Sequence, residues 1–408
     1  MRKFYTLTLI ALLASAESFA TSNWTQKANF GGVARHRTTS FTIGNKGYMG
    51  LGHYNSGPGG NIHLADFWEY DPGSNSWTQK ADFGGGQRYH AVGETYGNKA
   101  YVGTGRAPGS ILMNDWWEFD PISNSWTAKA TFPGTERRGA VAFKIDEYIF
   151  VGTGQIPSGY TNDFFAYDPI NDQWLTGIAN FPGSSRTSAA SFSLNNKGYV
   201  GTGGVGCGTT DFYEYKLLTN QWVQRADVGT MIRQEAAGFA VNGKGYIAAG
   251  DNCSSGTNYK DVWEYDPTLD SWTQIDDFAG SARRYLDAFV IGNRAFCGLG
   301  TSGVNYSDLW EFDAILSTIQ HHKETVKMDV FPNPIIDKAT FSLSAIPQGG
   351  SAEMFTLTLY SMEGKMVCEE QFENQNIYFE RNGIESGLYI YHLNYEATTV
   401  RNGKIIIE

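Results

Sequence analysis

The sequence predicts an all-β protein, a six-bladed β-propeller followed by a small β-sandwich, and three observations predict it. The 408 residues include 48 Gly, 23 Tyr, 25 Phe and 11 Trp but only 18% charged residues, a balance expected of short aromatic strands joined by tight turns. A tryptophan recurs at Trp24, Trp77, Trp126, Trp174, Trp222 and Trp272, at spacings of 53, 49, 48, 48 and 50 residues. After Trp310 tryptophan stops, and a tail of different composition begins. The length suits two or three domains, and the 41% hydrophobic content suffices for a sizeable core. With 31 Lys+Arg against 42 Asp+Glu, the formal charge of −11 argues against a nucleic-acid binder, which needs a basic field to meet phosphates.

The first element, residues 1–20, opens with Arg2 and Lys3, continues through an apolar run from Phe4 to Leu13 and ends in small residues around Ala20. This is the pattern of a signal peptide removed on export. Its apolar core is shorter than the roughly 20 residues that span a bilayer, and no later stretch reaches that length, so no transmembrane segment is expected.

Residues 21–313 carry the repeat, and each unit has four markers. The first is an Arg (Arg35, Arg88, Arg137, Arg186, Arg233, Arg283), and 17 residues after each stands a Gly (Gly52, Gly105, Gly154, Gly203, Gly250, Gly300) that closes an apolar strand such as "YVGTG". An Asp then opens an aromatic strand, as in "DFWEYDP" and "DWWEFDP", at Asp66, Asp115, Asp163, Asp211, Asp261 and Asp308. The first five of these lie 11 residues before their Trp, and pairs such as Asp71-Pro72 make the hairpin turn between them. A period near 50 with this Trp and Gly signature resembles the kelch repeat, although the family's paired Gly-Gly is mostly Gly-x-Gly here. The resemblance implies a propeller like the central domain of galactose oxidase.

The sixth unit lacks a downstream Trp, while Trp24 stands alone before the first Arg. The Trp24 strand is therefore expected to serve as the fourth strand of the last blade, closing the ring and covering an edge that an open solenoid would expose.

Spacing also locates the expected site. Trp to the next Arg is 11 residues, with one 12, and Arg to Gly is constant, but the gaps from Gly to Asp are 14, 10, 9, 8, 11 and 8. In an up-and-down blade these variable connections share one face with the start of the innermost strand, so loops, Arg and Asp converge at one mouth of the axial channel. Variable loops on a constant frame are where function usually sits.

The candidate ligand-binding residues are the six Arg together with His53, Tyr54 and His63 of the longest loop. Two readings of the Arg set stand side by side: a ring of planar guanidinium groups for a carboxylate, sulfate or phosphate, or six structural pairs with the six Asp. Arg37, Arg138 and Arg284 add charge nearby with no repeating partner. Trp68, Trp117 and Trp263 recur with the repeat and read as packing between blades. His90 and Glu136 are candidate acid or base groups.

His53 and His63 lack an evident third ligand, and the Tyr and Tyr-Cys crosslink of galactose-oxidase-like copper chemistry is not assignable, so neither metal nor cofactor is expected. Cys207 and Cys253 lie in equivalent loops of adjacent units and are expected to form a disulfide if their α-carbons lie within about 7 Å. Cys297 and Cys368 read as unpaired.

A polar linker, residues 314–327, leads to the tail, 328–408, whose short alternating runs bounded by Gly and Asn read as a small sandwich. Its motifs are Phe331-Pro332-Asn333-Pro334, Leu359-Tyr360 with Gly364-Lys365, and Ser386-Gly387-Leu388-Tyr389 ahead of Gly403-Lys404. They resemble the type A sorting domain of the type IX secretion system. The resemblance implies passage across a Gram-negative outer membrane and handling of the tail by that machinery, leaving the protein secreted or on the outer surface.

The expected function is that of an exported kelch propeller binding a glycan or an extracellular protein at its mouth. The alternative is a carbohydrate-active enzyme of the sialate mutarotase-like kelch type, which needs an acid or His within reach of a bound sugar.

Overall fold

The computed structural model describes residues 23–55, 60–314, 327–344, 355–361, 365–372, 376–395 and 398–408. The expected leader, most of the linker and Gly364 of the tail motif lie outside the described residues.

Six four-stranded antiparallel sheets form the blades. Blade 1 consists of Thr39–Ile43, Lys46–Gly50, Phe67–Asp71 and Ser76–Gln79 in spatial order. Blades 2 to 5 repeat this plan. Blade 6 uses Asp287–Ile291, Arg294–Gly298 and Leu309–Asp313, and its fourth strand is the N-terminal Trp24–Lys27, with Trp24 opposite Phe312. The innermost strands contact one another in a complete cycle that returns from blade 6 to blade 1. The protein is thus an all-β propeller closed by its first strand, as the isolated Trp24 leads one to expect.

The repeat markers have physical reasons. Each marker Arg is at most 1% exposed. Its Nη1 donates at 2.8–3.1 Å to the carbonyl of the residue just before its Gly: Leu51, Thr104, Thr153, Thr202, Ala249 or Leu299. Those six residues all have φ between 57° and 62°, which turns their carbonyls toward the guanidinium. A side chain of fixed length and a fixed turn account for the constant offset of 17. The Gly that follows donates its N–H to the backbone carbonyl of the next blade's Arg at 2.7–3.0 Å, and Gly300 returns to Arg35, so the ring is also stitched through its backbone. Gly52, at φ 86°, could not be replaced freely, because a Cβ there would lie 2.6 Å from the His36 carbonyl oxygen.

The recurring Trp of the fourth strand ties blades together. Trp77, Trp126, Trp174, Trp222 and Trp272 donate their indole N–H to Ala28, Ala81, Ala130, Ala179 and Ala226, at 2.8–3.2 Å, on the segments that lead out of the preceding blade.

The tail forms a three-stranded sheet of Lys327–Phe331, Lys338–Ser344 and Asn376–Glu380, and a four-stranded sheet of Phe355–Ser361, Met366–Phe372, Gly387–Tyr395 and Thr398–Ile407. One core joins them, including Phe341, Leu359, Phe379 and Leu393. Pro332 and Pro334 follow cis peptide bonds. Asn333 Oδ1 accepts from the Ile406 N–H at 2.9 Å, and Tyr389, in the core, donates its hydroxyl to Glu385 O. Gly387 opens the strand that carries Tyr389, and Lys365 is exposed.

Candidate functional site

The six marker arginines, Arg35, Arg88, Arg137, Arg186, Arg233 and Arg283, do not ring a ligand. Each holds the Asp of its own blade through both terminal nitrogens, at 2.5–3.0 Å. Five of them also stack over the Phe five residues upstream, at 4.6–5.0 Å. In blade 5 that position is Val228, and Arg233 lies over Tyr259 instead. Trp68, Trp117, Trp263 and Trp310 donate their indole N–H to the same carboxylates. A guanidinium so enclosed has no face to offer a ligand, and this corrects the ligand-ring reading in favour of structural pairing.

The mouth is instead built from the two residues after each marker Arg. The second of these, Arg37, His90, Gly139, Ser188, Glu235 and Tyr285, is left-handed in every blade, with φ from 54° to 60°. Backbone N–H groups run around the axis from each to the one before it: His90 to Arg37, Gly139 to His90, Ser188 to Gly139, Glu235 to Ser188 and Tyr285 to Glu235, at 2.8–3.1 Å. Between blades 6 and 1 the Arg37 guanidinium donates to the Tyr285 hydroxyl. The same backbone thus presents five different side chains and one bare glycine, Gly139, around one axis.

Around this ring lies a second set. Arg138 donates to the Tyr89 hydroxyl at 3.0 Å and to Gln155 at 2.7 Å. Arg284 faces Glu235 at 3.9 Å and Asp251 at 3.6 Å. Arg37 Nη1 sits 3.2 Å from His53 Nε2, and His36 Nδ1 lies 2.8 Å from Asn305 Oδ1. His36 packs edge-on to His53 at 4.2 Å, and Tyr89 meets both His53 and His63.

His53 and His63 stand opposite each other in the hairpin His53–Asn55 and Asn61–His63, while Tyr54 pairs with Ile62 between them. His53 is buried and Tyr54 half-buried. Glu136 is half-buried beside its Arg137, and His90 reaches the cavity. Sequence reasoning did not single out His36, Tyr89, Glu235, Asp251 or Tyr285. Their only signal is that they vary at positions where the repeat fixes the backbone.

Burial and the arginine charge act on the ionisable groups together. Burial, then the charge of Arg37, holds His36 down at about 4, and His53, His63 and His90 are also lowered, chiefly by burial. The lowering favours the neutral imidazole in each. Burial pushes Glu235 up to about 7, against the pull of the Tyr285 hydrogen bond and the Arg37 charge. Asp251 is raised, again chiefly by burial.

The mouth opens into a cavity of about 190 Å³ lined by Arg37, His90, Ser188, Glu235 and Tyr285, and a second cavity of about 390 Å³ shares Thr38, Ala91, Ala140, Ala189 and Asp287 with it. Among the described residues no group of three or more His, Cys, Asp or Glu could hold a metal ion. Cys207 and Cys253 form a disulfide, with α-carbons 4.8 Å apart, that joins the mouth loops of blades 4 and 5.

Comparison with known proteins places both parts of the chain in context. Residues 329–408 match the secretion system C-terminal sorting domain. Among solved structures, one titled "Structure of YjhT" is similar, with a TM-score of 0.58 and 17% identity, covering 69% of this chain and 96% of that chain. At that identity the likeness concerns the fold alone. No curated protein matches the chain in sequence. The protein is therefore an all-β propeller carrying a type IX sorting domain, exported to the cell surface or beyond. No helix among the described residues is long and apolar enough to cross a membrane.

Proposed function

We propose that the exported propeller binds a small acidic glycan, one bearing a carboxylate, at its axial mouth. The observation that carries this reading is the second arginine set. Arg37 and Arg138 pair with no carboxylate among the described residues and bond to neutral Tyr, His and Gln partners instead. A guanidinium presented this way is a planar donor for a carboxylate, and it creates a local positive patch on a protein of net charge −11. Tyr285 and His90, in the cavity wall, supply the aromatic and polar surface that a sugar ring requires.

The test is a screen of the purified protein against neutral and acidic glycans at two salt concentrations. Salt-sensitive binding to carboxylated sugars supports the reading. Silence across the acidic sugars, or equal binding of neutral ones, overturns it and turns the search to extracellular protein partners.

One observation favours a second reading, the mutarotase-like enzyme. Glu235 carries a proton affinity poised near 7 beside the Tyr285 hydroxyl in the cavity wall, a pair able to exchange a proton with the anomeric hydroxyl or ring oxygen of a bound sugar. Acceleration of anomer exchange, followed by NMR and abolished in Glu235→Gln, distinguishes this enzyme from a binding module.

A further inference from the structure

The lower half of the axial channel carries a second departure from the repeat. Six residues after each marker Arg, the innermost strand places Phe41, Glu94, Phe143, Phe192, Phe239 and Phe289. Five rings stack on the aromatic residue opposite in the second strand, as Phe143 does on Phe150 and Phe239 on Tyr246.

Each ring also enters a slot on the following blade, and that slot is always small. Phe289 fills the space over Gly47, Phe143 that over Gly198 and Phe192 that over Gly245, where an added Cβ would fall 2.0–2.3 Å from the ring. Phe41 shares a core cluster with Ala100, and Phe239 with Ala295. Only where blade 2 offers Glu94 does the following blade offer a large residue, the fully buried Ile149. Ile149 takes the volume that a phenylalanine fills elsewhere. Glu94 is left at the wall of the 390 Å³ cavity.

There its carboxylate accepts only from its neighbour Thr95, at 2.8 Å from the N–H and 3.4 Å from the hydroxyl, among the described residues. The next blade sends Lys144 into the same cavity, at a position that is Thr, Ser, Ala or Val in the other blades. Lys46, Lys99, Lys197 and Lys244 pair with carboxylates of their own blades, whereas the Lys144 ammonium has no ion pair among the described residues. Burial raises the Glu94 carboxyl against the pull of the Thr95 hydrogen bond and the Lys144 charge. Thr42, Thr95 and Ser193 line the space around them.

A carboxyl group and an ammonium with no ion pair between them, lining one cavity whose other acid, Asp287, is already held by Thr38 and Ser40, complement a ligand with the reverse arrangement. We propose that the lower channel binds a small zwitterion of the amino acid class, its ammonium on Glu94 and its carboxylate on Lys144. This site shares no charged ligand contact with the mouth and stands or falls independently of the glycan reading.

The experiment is calorimetric titration of the full exported chain with glycine, 4-aminobutyrate and 6-aminohexanoate, whose charges lie progressively further apart, with methylammonium and acetate as single-charge probes. At least one zwitterion is expected to bind tenfold or more tighter than either single-charge probe, and Glu94→Gln and Lys144→Met each to weaken it at least tenfold. The double variant Glu94→Phe, Ile149→Gly rebuilds the pair used by other blades. It is expected to fold and to lose binding, which keeps the test decisive if Glu94→Gln fails to fold. Absence of zwitterion binding, equal binding of the single ions, or binding retained in the rebuilt double variant overturns the proposal.

Discussion

At the scale of single residues, two sets of arginines divide the work. The marker set is structural because each member is enclosed by an Asp, a backbone carbonyl and an aromatic ring. Arg233 and Asp261 are the most enclosed of these pairs, at 0% and 8% side-chain exposure. Arg233→Met is expected to destabilise the protein by about 3–5 kcal/mol, since it leaves a buried carboxylate without its cation; chemical denaturation measures this, and a loss under about 1 kcal/mol contradicts the structural role. Glu235 governs the pH response of the mouth. Its folded value of about 7 lies above that of an exposed Glu, about 4.3. The stability tied to its proton is therefore present below about 4.3 and is lost as pH rises through about 7. An acidic ligand meets one negative charge fewer once Glu235 is protonated. Binding should tighten several-fold from pH 8 to pH 6, and Glu235→Gln should flatten that dependence; an unchanged profile in the variant would assign the pH response to another group.

Elements explain how much of this could be read from sequence. The strand order and ring closure were legible because the Arg, Gly, Asp and Trp recur at nearly fixed offsets, and each offset is the length of a contact. The first strand carries a clear consequence. Trp24 is 4% exposed and packs against Phe278 and Phe312. Trp24→Ala is expected to cost about 3–5 kcal/mol, and deleting Trp24–Lys27 leaves the Leu309–Asp313 strand as an open edge that promotes association. Thermal unfolding and light scattering measure the two effects, and a deletion variant that stays monomeric and as stable as the parent contradicts the closure. The Cys207–Cys253 bridge closes a separation of 46 residues between mouth loops; its removal as a Cys→Ser pair is expected to cost about 2–4 kcal/mol. The binding site was far less legible. Glu235 and Tyr285 occupy the same backbone position in different blades, so no local motif marks them. Only the fold brings them together. Phe30 and its counterparts were equally hidden, since a Phe five residues before an Arg acquires meaning only when the guanidinium folds back over it.

At the scale of the whole molecule, a closed ring of six sheets makes one rigid axis, and an export tail delivers it to the cell surface or beyond. The repeat supplies the frame, and departures from it, Arg37, Arg138, Arg284, Glu235, Glu94 and Lys144, all face the channel or its mouth. Chemistry here belongs to the exceptions. The most direct test of that division compares the two arginine sets in one assay. Calorimetry would follow a carboxylated monosaccharide binding to the parent protein, to the double variant Arg37→Met, Arg138→Met, which leaves no buried carboxylate without its cation, and to Arg88→Lys, with unfolding measured alongside. The mouth double variant is expected to keep its stability and lose at least tenfold in affinity, while Arg88→Lys is expected to lose stability, its folded fraction binding as the parent does. Full affinity in the mouth variant, or an affinity set by Arg88, would contradict that division.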